Sequence, residues 1–226
     1  MSRARTPWAI RVTAFAMLLA SGCRMYEWRD EPCIRPVVAA GVDSAIADLR
    51  SNWDDDRTIA CRALGQLAAE AQARGDSKEA HRIAEVLMDH FQTETSHQAR
   101  SVILALALRE IGQDNDDVKA FVLARLAADE LPAAAAYTLA VLQPTGTFEA
   151  IHAAVLRHEP EQRYELLLAM WLLGDARGIA VFDDQLAKLD RDWPDHIHNM
   201  AKDQYRSVLL ARAQSLRKAT RASRAQ

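Results

Sequence analysis

This chain of 226 residues is predicted to be all-α, with helices paired into antiparallel hairpins, and three observations carry that prediction. Gly and Pro number only eight and seven, so long stretches run without a residue that ends a helix. Ala and Leu abound while β-branched runs are few, whereas strands draw on Val, Ile, Thr and aromatics. Apolar residues recur three and four places apart: Tyr164, Leu167, Leu168, Trp171 and Leu172 form one such stripe. Ile83, Val86, Leu87 and Phe91 form another, and Val118, Phe121, Val122 and Leu126 a third. Half the residues are hydrophobic, enough for one real core and too many for a disordered chain.

Taken in order, the first element is read as a leader rather than part of the fold. Residues 1–11, MSRARTPWAIR, are basic, and residues 12–22, VTAFAMLLASG, are apolar and end in small residues just before Cys23, the layout of a secretory signal peptide. Only 12 residues separate Arg11 from Arg24, whereas a helix crossing a bilayer needs about 20. Residues 23–40 read as a flexible tether, kept polar by EWRDEP and discouraged from helix by Pro32 and Pro36. The folded body, residues 41–200, is then expected to begin near Gly41. Helices are expected at 42–52, 57–74, 77–92, 97–112, 115–129, 132–143, 147–158, 161–173, 177–190 and 196–219. Ser77 is expected to cap one helix, Pro132 and Pro160 to sit in first turns, and Gly75, Gly112 and Gly174 to end helices at positive φ. Asp54 to Asp56, and Asp116 with Asp117, fall at helix starts, where carboxylates oppose the positive dipole end.

Two resemblances add to this reading. The tetrapeptide Ala20-Ser21-Gly22-Cys23 resembles the box of bacterial lipoproteins, although Ala20 stands where a branched apolar residue is commoner and Leu19 lies one place earlier. It implies diacylglyceryl attachment to the Cys23 thiol, cleavage after Gly22 and acylation of the new amino group. Several acyl chains, at about 0.8 kcal/mol per buried methylene, hold a protein firmly where one chain binds only marginally. Arg24 rather than Asp follows the cysteine, which by the enterobacterial sorting rule implies the outer membrane, facing the periplasm.

Ile111, Leu142 and Leu173 each end an Ala/Leu-rich segment and lie 31 residues apart. Aligned on them, ILALALREIGQDNDD, AAYTLAVLQPTGT and LLLAMWLLGDARG resemble the short bacterial HEAT-like repeats, and ALGQLAAEAQARGDSKEAHRIAEVL has a tetratricopeptide character. The resemblance covers about residues 41–190 and implies an α-solenoid, in which hairpins too small to bury their own stripes stack into a continuous core.

Chemistry-bearing residues are sparse. Cys33 and Cys61 could pair in an oxidising compartment, stabilising the fold by about 3 kcal/mol, or remain free thiols with Cys61 in the core. His196 and His198, near Asp192 and Asp195, lie two apart and so face apart on a helix, without a third ligand at metal-site spacing. HEAT-repeat oxygenases hold iron through several His-Glu pairs, and this chain has one, His158-Glu159, so neither metal nor cofactor is expected. No Gly-rich phosphate loop, nucleophile elbow or Cys-x-x-Cys pair is present.

Charge separates the two ends. A product beginning at Cys23 has 25 basic and 31 acidic residues, which argues against a general nucleic-acid binder. Residues 201–226, a basic helix and tail, carry seven basic residues and one acid, so Arg217, Lys218, Arg221 and Arg224 are candidate contacts to lipid headgroups or an acidic partner. A capping helix with its polar face outward accounts for the same residues. The expectation is a non-catalytic, lipid-anchored module for protein partners in the cell envelope. The rival is an envelope enzyme or ligand-binding subunit with a site between helices near His152, His158 and Trp171, which calls for a deep polar pocket.

Overall fold

The structure, a computed structural model, describes residues 32–192 and 199–224. Among the described residues there are eleven helices and no strand. Two short helices, α1 (Arg35–Ala40) and α2 (Val42–Asp48), precede α3 (Asp54–Ala73) and α4 (Ser77–Thr93). Helix α5 runs through His97–Val102, a π turn at Ile103–Ala107 and Leu108–Ile111. Then come α6 (Asp116–Ala127), α7 (Pro132–Leu142), α8 (Thr147–Arg157), α9 (Pro160–Leu173), α10 (Gly178–Asp192) and α11 (Asn199–Arg224). No helix among the described residues is long and apolar enough to cross a membrane.

Packing follows chain order. Every substantial contact joins a helix to the next one or the next but one: α3 packs on α5, α5 on α7, α7 on α9 and α9 on α11. The even-numbered helices α4, α6 and α8 pack in the same sequence beside them. One contiguous apolar core runs from Ala45 in α2 to Leu216 in α11. Ile111, Leu142 and Leu173 end α5, α7 and α9, so the 31-residue spacing marks equivalent helix ends.

Small residues set the distance between α3 and α5. A Cβ added to Gly65 would lie 2.7 Å from the Ala107 Cα, closer than real Cβ contacts come. From α7, the Thr138 hydroxyl donates to the Leu104 carbonyl at 2.6 Å, inside the π turn where the helical ladder is locally loosened.

Several expectations change. Residues 35–40 of the expected tether are helical, with Pro36 in the first turn, and Ile34 just before them is fully buried against Ala63. Asp76, not Ser77, caps α4, its carboxylate accepting the Glu79 N–H at 3.1 Å. Gly75 and Gly174 have φ of +80° and +73° as expected, but Gly112 has φ −77°. Gly112 is required by space instead, since an added Cβ would lie 2.5 Å from Leu142 Cδ1 and 2.9 Å from Val118 Cγ1.

Helix α9 does not carry a single stripe. Leu166, Ala169 and Met170 are as buried as Tyr164, Leu167 and Leu168, while Leu172 is 38% exposed. Contacts with α7, α8, α10 and α11 surround it. Helix α11 continues to Arg224, past the helix end expected at residue 219.

The close α3–α5 approach yields a stability test. Gly65→Ala is expected to lower the urea midpoint followed by circular dichroism. Overpacking costs about 1–3 kcal/mol, against a gain of about 1 kcal/mol in helix propensity. A raised midpoint for Gly65→Ala would mean the helices are not held this close.

Candidate functional site

The residues around which the rival reading places a catalytic or ligand site each have a neighbour of their own. His158, buried at the end of α8, places Nε2 2.7 Å from Asp129 Oδ1 in the α6–α7 turn. Trp171 in α9 lies beneath the Arg212 guanidinium, whose Cζ is 3.7 Å from the ring centroid. His152 stands 5.7 Å from the Phe148 ring in its own helix, α8. Each ring thus has a separate neighbour.

The other predicted residues scatter as well. Cys61 is a buried free thiol in α3, its pKa pushed up to about 12 by burial, while Cys33 is exposed, so the structure contains no Cys33–Cys61 disulfide. Arg217 gives Nη2 to Asp183 of α10 at 2.6 Å. Lys218 and Arg221 are exposed on α11. Residues 1–22, Cys23, Asp195, His196, His198 and the Arg224 side chain lie outside the described residues. Among the described residues no three His, Cys, Asp or Glu side chains are grouped to hold a metal ion.

A shallow cavity of about 200 Å³ does open between α3, α4 and the α5–α6 junction, lined by Gln72, Ser77, Ala80, His81, Ile111, Asp114 and Asn115. Its polar groups largely serve one another. Asn115 caps α6 by accepting the Asp117 and Val118 N–H groups at 3.1 Å each, which turns its amide nitrogen toward His81 Nδ1, also at 3.1 Å. An amide NH₂ only donates, so Nδ1 is the acceptor and Nε2 faces the Glu85 and Asp117 carboxylates at 3.8 Å. Gln72 gives its amide to the Ile111 carbonyl at 3.0 Å. The result is a joint between α3, α4 and the α5–α6 junction.

The richest ionic chemistry lies at the opposite edge, where even helices turn into odd ones. Counting from the first residue of α3, α5 and α9, the fourth position is Arg57, Arg100 and Arg163. A cation there opposes the helix dipole and needs a nearby acceptor. Arg57 finds it in Glu94, which directly follows α4: Nε lies 2.7 Å from Oε2 and Nη2 3.1 Å from Oε1. Arg100 reaches Glu130 at 2.8 Å, and Arg163 reaches the His158 carbonyl and Gln185 Oε1. No sequence expectation named these arginines; the available signal is an arginine at the fourth position after a cap or proline.

Glu94 is the centre of the best-satisfied cluster. Its side chain is 1% exposed and also accepts the Ser96 N–H at 2.7 Å and the His90 Nε2–H at 3.0 Å. Burial by itself raises the carboxyl pKa, but the Arg57 and Ser96 hydrogen bonds with the charges of Arg57 and His90 outweigh it and hold it at about 2.

An unfolded Glu titrates near about 4.3, so the unfolded chain binds more protons between that value and 2, and stability there rises with pH. The Glu94 contribution is therefore complete above pH 5 and is lost as the pH falls toward 2. Removing its charge by Glu94→Gln is expected to cost about 3 kcal/mol at pH 7, because Arg57 loses its buried carboxylate partner and keeps only the exposed Asp54. Denaturant unfolding between pH 6 and 2.5 checks the sign: the gap between wild type and variant should narrow as pH falls, and a constant gap contradicts the assignment.

Comparisons with protein-family models, curated proteins and solved structures return no match to this chain, so its functional reading stands on these residues and their geometry.

Proposed function

We propose that this chain is a bacterial lipoprotein, anchored through Cys23 in the outer membrane and facing the periplasm, whose stacked hairpins form an α-solenoid that binds protein partners without catalysis. The observation that carries the reading is the packing order, in which the substantial contacts among the described residues join each helix to its first and second neighbours. Stacked-repeat proteins are built that way, because each unit buries its faces only against the units beside it. The 31-residue recurrence of Ile111, Leu142 and Leu173 at helix ends supports it further.

Such a molecule works by surface. Stacked helices present an extended face of fixed curvature, and acyl chains on Cys23 keep that face near the membrane, which raises the effective concentration of partners held there. The separate engagement of His152, His158 and Trp171, and a cavity whose polar groups bond one another, favour this reading over an enzyme with a site among them.

Lipidation is tested by labelled palmitate and fractionation. The wild-type chain is expected to incorporate label and sediment with membranes, and Cys23→Ala to lose the label and appear in the soluble periplasmic fraction. Equal incorporation by the variant would remove the anchor.

A further inference from the structure

The α6–α7 turn holds two guanidinium groups on one carboxylate oxygen. Arg100 from α5 places Nη2 2.8 Å from Glu130 Oε2, and Arg125 from the last turn of α6 places Nη1 3.3 Å from the same atom. Each cation also lies on an aromatic face, Arg100 Cζ 4.2 Å from the Phe91 centroid and Arg125 Cζ 5.0 Å from that of Phe121. The two rings meet edge to face at 5.5 Å, so the arginines are held side by side by the core beneath them.

One carboxylate does not satisfy this pair. A guanidinium offers five N–H donors in a planar fork that suits bidentate pairing, and neither arginine pairs bidentately with Glu130. Both Nε atoms are buried and make no hydrogen bond, and one of the two positive charges has no counterion here. Neighbouring groups are committed elsewhere. Asp129 pairs with His158, Arg157 donates to the Leu126 carbonyl at 3.2 Å, and Glu94 holds Arg57 and His90.

The resident carboxylate is also poorly seated. Glu130 lies between Asp129 at φ +61° and Leu131 at φ +51°, two non-glycine residues in the left-handed region that persist only where the surroundings hold them. Its side chain is 36% exposed and those of Arg100 and Arg125 are 29% and 25% exposed, so the site is reached from solvent.

We propose that Arg100 and Arg125 form a carboxylate-binding site in which Glu130 is an exchangeable resident, replaced by an acidic side chain or a chain-terminal carboxylate of a protein partner. The partner rests on the interaction-module reading above; the site does not. An incoming carboxylate gives the guanidinium pair a better-placed acceptor and lets the turn leave its left-handed conformation.

Chemical rescue tests this in the full chain, kept in detergent. Glu130→Ala removes the resident, with Glu130→Ser as the replacement if the alanine variant does not fold. Thermal unfolding in rising sodium acetate, against matched sodium chloride, is expected to raise the variant's midpoint by about 3–5 °C at acetate ten times its dissociation constant. The wild-type shift should be smaller, because Glu130 competes, and Arg125→Met in the same background should abolish the rescue. Acetyl-Gly-Glu-Gly-amide and acetyl-Gly-Gly-Gly with a free carboxyl separate a side chain from a chain terminus, rescue by either supporting the site. A response equal in acetate and chloride, or one that survives Arg125→Met, overturns the proposal. Acetate needs no partner, so that failure leaves the anchored-module reading standing.

Discussion

Alternate helices in this protein approach so closely that a single methyl group is excluded between them, and the rest of the architecture depends on that spacing. Gly65 leaves room for the Ala107 backbone where α3 meets α5, and Gly112 leaves room for Leu142 and Val118 where α5 gives way to α6 beside α7. At such a separation the Thr138 hydroxyl in α7 reaches the Leu104 carbonyl in α5. Side chains on these odd helices bury on several sides, and α9, flanked by α7, α8, α10 and α11, shows it most fully. The even helices need only one apolar face, as Ile83, Leu87 and Phe91 supply in α4.

Charge then bears on how successive helices are placed relative to one another. A cation in the first turn of a helix is unfavourable on its own, yet Arg57, Arg100 and Arg163 all occupy that position. Each is compensated by a group from another segment, so the arrangement is stable only when the segments meet correctly. Arg57 with Glu94 is a closed case, its carboxylate saturated by Ser96 and His90 as well. Arg100 with Glu130 is an open one, because Arg125 competes for the same oxygen.

What was legible in the sequence follows from the range over which each signal acts. Pro132, Pro160, Gly75 and Gly174 mark helix ends because their own backbones dictate the local conformation. Gly112 reads the same way locally, but its real constraint is Leu142, thirty residues on. Periodicity found the apolar face of α9 but not Leu166, Ala169 or Met170, since a helix enclosed on several sides has no polar face to set a period. The ion pairs were beyond a local reading: Arg57 and Glu94 are 37 residues apart, Arg100 and Glu130 are 30. Cysteine spacing was equally silent, because pairing depends on geometry, and Cys61 faces the core.

Packing between near neighbours, the arginine pair at Glu130 and the acylation proposed for Cys23 together carry the proposal of a surface that holds another protein at the membrane. Crosslinking in the intact native envelope, followed by purification of the full chain and identification of what is covalently joined to it, tests that most directly. The account predicts a discrete protein partner, enriched with the wild-type chain and diminished with Cys23→Ala. Recovery of the chain alone, together with turnover of a small molecule by the purified protein, would contradict it.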